Sequence, residues 1–114
     1  MIPSNDTDIL VLKSGKSIKR ISPNDIAYIQ CDHPVCDIHF VDGKEFACAK
    51  PLCYFEDTLP KGQFVRINHK VLVNMNEVDS AVFQGGHRHD IILKGGVELS
   101  VSYRKWKTVK EHLI

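Results

Sequence analysis

The sequence predicts a mostly-β domain of antiparallel strands with two short helices. Three observations predict it. Short apolar and β-branched runs recur along the chain, each bounded by Gly, Pro, Asn, Asp or Ser. Asp42-Gly43 and Gly95-Gly96 fall between such runs, where a tight hairpin needs a residue free to take positive φ. Apolar residues at helical spacing occur in two places, residues 51–59 and the segment after Ser102.

Each element has its own signal. Ile9 to Lys13 is an apolar strand, Ser14-Gly15 a turn, and Ser17 to Ile21 its hairpin partner. Ser22-Pro23-Asn24-Asp25 is a turn cluster or a single helical turn capped by Ser22. Ile26 to Cys31 and Val35 to Val41 are strands separated by Asp32-His33-Pro34. Lys44 to Ala49 returns after Asp42-Gly43. A two-residue turn there sets Val41 opposite Lys44 and His39 opposite Phe46. Pro51 fits a first helical turn, Leu52, Phe55 and Leu59 form its apolar side, and Pro60 stops it. Phe64 to Arg66, Val71 to Val73 and Val78 to Gln84 are extended, with Asn68-His69-Lys70 a turn between the first two. Gly85-Gly86 leads into a cationic bend, His87-Arg88-His89. Asp90 to Lys94 and Val97 to Val101 make a second hairpin. Ser102 is an N-cap, and Trp106, Val109 and Leu113 form the core stripe of a final helix.

The 114 residues make one domain, 1–114, with residues 1–7 as a loose N-terminal segment. The chain is 43% hydrophobic and 25% charged, an ordinary globular balance. No apolar run is long enough to span a bilayer, and the N-terminus lacks the pattern of a signal peptide, so a cytoplasmic protein is expected. The formal net charge is only +1. Its distribution is uneven: residues 1–60 hold six Lys/Arg and nine Asp/Glu, residues 61–114 nine and five. A basic second half suits a binding face at one end of the domain, or a solvated surface.

The four cysteines, at 31, 36, 48 and 53, are expected to be reduced and to pack as small hydrophobes. Their spacing is looser than a structural zinc knuckle, so a metal-binding protein is the weaker reading. No catalytic triad, paired-carboxylate pattern, phosphate loop or zinc-protease helix is present. The expectation is a non-enzyme with no cofactor, no metal, no membrane partner and no small-molecule substrate.

Residues Phe64 to Val78 organise the rest. Their apolar frame carries Arg66, Asn68, His69, Lys70, Asn74 and Asn76, with no carboxylate before Glu77. Cations suit phosphates, and amides and imidazoles suit base edges. The run Phe64-Val-Arg66-Ile-Asn-His-Lys-Val-Leu-Val-Asn74 closely resembles the signature of LytTR-type DNA-binding domains. Leu59-Pro60, closing a helix just upstream, and Leu99 to Arg104, opening a C-terminal helix, stand where that family has them. The resemblance runs from about Ile18 to Leu113.

This resemblance implies elongated antiparallel sheets and sequence-specific binding to double-stranded DNA by a bacterial transcriptional regulator. Paired half-sites and a homodimer on DNA go with it. Contacts are implied from three places. In the Asp32-His33-Pro34 loop His33 is the candidate, although Asp32 beside it repels phosphate. In the second loop Asn68 or His69 is placed for a base edge and Lys70 for phosphate. The alternatives are that Asn68 caps the turn and His69 is merely exposed. Arg66 either contacts DNA or supports this loop through a carboxylate, and Asn74 pairs locally with backbone. At the helix start many members have Arg where this chain has Tyr103. Either Arg104 or Tyr103 takes that contact, with Lys105 and Lys107 adding charge. His87-Arg88-His89 is a flanking phosphate contact or a solvated turn. Family members commonly carry this domain behind a receiver or membrane segment. This sequence is a stand-alone regulator or a piece of something longer. The alternative function is a protein-interaction module with a degraded DNA face, which Tyr103 and the near-neutral charge favour.

Overall fold

A five-stranded antiparallel sheet is the spine of the molecule. The computed structural model describes residues 9–114, so the loose segment expected at residues 1–7 lies outside the described residues. The strands are β1 (Leu10–Ser14), β2 (Ser17–Ile21), β3 (Ile26–Asp32), β4 (Val35–Phe40), β5 (Glu45–Cys48), β6 (Phe64–Asn68), β7 (Val71–Asn74), β8 (Val78–Gly85), β9 (Arg88–Leu93) and β10 (Glu98–Val101). Helix α1 spans Leu52–Thr58 and α2 spans Tyr103–Leu113, with single 3-10 turns at Pro23–Asp25 and Met75–Glu77. The central sheet runs β5-β4-β3-β7-β6. A three-stranded sheet runs β10-β9-β8, and β1-β2 is a separate hairpin. Principal extents are 46 × 39 × 24 Å, nearly twice as long as thick.

The central sheet is buried on both faces, which gives two cores. The β1-β2 hairpin and α1 supply the first, where Leu10, Leu12, Ile29, Ile38, Phe55 and Leu72 meet. The second sheet and α2 supply the other, where Ile67, Val73, Ile91, Leu93, Val101 and Val109 meet. Strict alternation would put Ile26 and Ile29 on opposite faces. A register shift between Ile26 and Tyr28 keeps both in the first core. Phe55 is fully buried on α1, which by itself contributes about 1.5–3 kcal/mol. All four residues of β7 are buried: Leu72 enters the first core, Val71 and Val73 the second.

Two expectations need correction. The β4–β5 hairpin sets His39 opposite Glu45 and Ile38 opposite Phe46, one residue away from the predicted register. The Phe40 amide donates to the Lys44 carbonyl, and Gly43 has φ +91°, so Val41, Asp42 and Gly43 form a three-residue loop. The extra residue slips the register. The cysteines are also not all free and buried. Cys31 and Cys36 are joined as a disulfide. His33-Pro34 is a two-residue turn between Asp32 and Val35, which sets Cys31 directly opposite Cys36. The next opposed pair beyond such a turn lies outside the hydrogen-bonded ring, where side chains approach most closely. Cys48 is free and buried; Cys53 is free and exposed on α1. Among the described residues no three metal-ligating side chains gather.

Candidate nucleic-acid interface

The β6–β7 turn is built from its own side chains. Asn68 ends β6 just past a bulge. Its Oδ1 accepts from the Lys70 amide at 2.8 Å, and its Nδ2 donates to the Ser100 carbonyl at 2.7 Å. Arg66 lies beneath the turn. Its Nε donates to the Asn68 carbonyl at 3.2 Å, one terminal nitrogen to the His69 carbonyl at 2.6 Å, and the other to Glu56 of α1 at 3.3 Å. Arg66 is therefore a brace, and the carboxylate it uses is Glu56. Asn68 spends one end of its amide inside the turn and the other on the Ser100 carbonyl of β10. His69 and Lys70 are left exposed at its crest.

Backbone bonds set the other two predicted places beside this turn. The Cys31 amide donates to the Lys70 carbonyl at 2.8 Å, which docks the β3–β4 hairpin and His33 on one side. Lys70 Nζ also lies 3.4 Å from Asp32 Oδ1, so the acid that would repel phosphate has a lysine partner. On the other side the Ser102 amide donates to the Ile67 carbonyl at 2.9 Å. Ser102 Oγ accepts from the Lys105 amide at 3.3 Å, the N-cap that starts α2.

Two adjoining surface depressions result. His33, Arg66, His69 and Lys70 line the first, with Cys31 and Cys53. Arg66, Asn68, His69, Ser102, Arg104 and Lys105 line the second, with Glu56. His69 belongs to both and sits at their junction. Tyr103 lies outside both; it is 67% exposed, and its ring lies against that of His87, centroids 4.5 Å apart and planes tilted by 58°. Lys107 is exposed one helical turn beyond Tyr103. Asn74, fully buried, accepts from the Asn76 amide at 2.9 Å, the local backbone pairing expected of it, and also donates to the Ile26 carbonyl of β3, far away in sequence, at 2.9 Å.

The family model for the LytTr DNA-binding domain matches residues 16–114. The chain belongs to the LytTR family. A solved structure is similar: the LytTr DNA-binding domain of a protein described as a methyl-accepting/DNA response regulator from Bacillus cereus. It aligns with a TM-score of 0.79 at 17% identity, covering 92% of this chain and 95% of that one. No curated protein matches the sequence. LytTR domains are DNA-binding domains, which fits the cationic and imidazole character of the two depressions. No helix among the described residues is long and apolar enough to cross a membrane. Sequence reasoning did not anticipate Glu56 or the Ser100 carbonyl as parts of this LytTR surface, nor the contact of His87 with Tyr103. All three meet their partners only through the fold.

Proposed function

We propose that this LytTR domain binds double-stranded DNA sequence-specifically as a non-enzymatic cytoplasmic transcriptional regulator. The carrying observation is the convergence of three separate segments on one surface, with His69 shared by both depressions. His33 and His69 read base edges, and Lys70, Lys105 and Lys107 meet phosphates. Arg104 takes the helix-start contact, because it shares a depression with Asn68 and His69 while Tyr103 points to His87. Asn68 and Arg66 shape the turn that presents His69. A single small face gives limited affinity, so two copies bind paired half-sites.

Selection from a random double-stranded DNA pool, followed by titration at two salt concentrations, tests this. Paired similar motifs with affinity falling steeply as salt rises are the expected result. Failure to enrich any motif, with weak binding confined to low salt, would refute it in favour of the protein-interaction module.

A further inference from the structure

The β8–β9 hairpin tip stands next to the start of α2 and is tied to it twice. The His87 ring lies 4.5 Å from the Tyr103 ring. His89 stacks on Trp106 at 4.0 Å with planes 14° apart, and Phe83 flanks it at 5.2 Å. The turn itself is tight, with Gly85 and Gly86 both at positive φ. A solvated turn needs none of these ties.

The charge arrangement at the tip is also organised. Asp90 is 6% exposed, and a buried carboxylate is costly unless it is partnered. One of its oxygens accepts from Gln84 at 3.2 Å, across the hairpin. The other faces Arg88 Nε at 3.8 Å, beyond hydrogen-bonding reach. Asp90 thus steadies the shaft of Arg88 without occupying its terminal fork. The Arg88 side chain remains 69% exposed. A guanidinium with a free fork is the side chain best matched to a phosphate.

We propose that the β8–β9 tip is a fourth DNA contact. Arg88 and His87 hold backbone phosphates flanking the bases read at the β6–β7 turn, and Tyr103 is the pedestal that positions His87. This rests on the DNA-binding reading above. It gives Tyr103 a role where many relatives have a direct helix-start contact: it links the helix to the hairpin and leaves the groove to Arg104. Lys107, on the same helix face as Tyr103, extends the same phosphate track.

The test uses the whole chain and the duplex enriched from the random pool, embedded in a longer fragment. Hydroxyl-radical footprints and salt titrations are compared for wild type, Arg88→Ala, Arg88→Lys and Tyr103→Ala. Arg88→Ala is expected to lose protection only at nucleotides flanking the motif, to bind about tenfold more weakly, and to flatten the salt slope by about one. Arg88→Lys is expected to restore the slope, and Tyr103→Ala to reduce the same flanking protection. Thermal melting confirms that each variant is folded. A folded Arg88→Ala with the wild-type footprint, affinity and slope overturns the proposal while leaving the main interface standing. So does loss of the central footprint along with the flank, because Arg88 would then act through the core of the site. If wild type gives no footprint on any enriched duplex, the DNA-binding reading itself fails.

Discussion

Replacing Arg66 by alanine separates a brace from a contact. Arg66 holds two carbonyls of the β6–β7 turn and one carboxylate. A hydrogen bond from a charged donor contributes about 1.5–3 kcal/mol, but these carbonyls sit at an exposed turn and rehydrate, leaving about 1 kcal/mol each. The Glu56 pair has side chains 27% and 39% exposed, so screening holds it to about 0.2–1 kcal/mol. Arg66→Ala should therefore cost about 2–3 kcal/mol, which lowers the melting temperature by about 8–24 °C in a domain near this size. Re-ordering one freed residue of the turn on DNA costs about 1–2 kcal/mol, so affinity should fall about tenfold. The decisive readout is the salt dependence. A brace releases no counterions, so the slope should match wild type. A slope flattened by about 0.9, with melting unchanged, would mean that Arg66 touches phosphate and would refute the reasoning.

Three further outcomes are expected. Asn74→Ala strands the Ile26 carbonyl in the interior, while the Asn76 amide, on an exposed residue, can turn to water; it should cost about 1–3 kcal/mol in urea unfolding, with DNA affinity of the folded protein unchanged. Asp32→Asn removes an exposed negative charge and frees Lys70 from its 3.4 Å pair; binding to all sequences should strengthen a few-fold, most at low salt. Burial pushes the Cys48 thiol above its usual range, whereas Cys53 is exposed. Alkylation of unreduced native protein near pH 8 should therefore add one adduct by intact mass, at Cys53, with Cys48 reacting only on unfolding. Two rapid adducts would contradict this burial.

Elements fixed by local backbone chemistry were legible in the sequence. Gly43, Gly95-Gly96, Pro51, Pro60 and Ser102 mark turns and helix ends through their own conformational limits, and both helices and every strand fall near the expected places. The register of β4–β5 was not, because Asp42-Gly43 serves two- and three-residue loops alike and a few atoms decide between them. The opposition of Cys31 and Cys36 was available in principle, since a two-residue turn at His33-Pro34 implies it. At the interface, residue chemistry singled out the turn, but roles depended on distant partners. Arg66 could be assigned only once Glu56 lay 3.3 Å away, and Tyr103 only once a hairpin sixteen residues earlier placed His87 against it. No periodicity encodes such meetings.

The two-faced burial of β7 bears on the thermodynamics of recognition. His69 and Lys70 are mounted on a strand whose four residues are all inside the protein and whose neighbours are paired on both sides. Its amides open only when both cores separate, so they belong with the slowest-exchanging protons of the domain. On the proposed function, a crest carried on so stiff a beam has little backbone freedom left to lose when DNA arrives. Discrimination between bases then falls to rotamers at the crest and to the deformability of the duplex, since the protein scaffold does not yield to a poorly matched site.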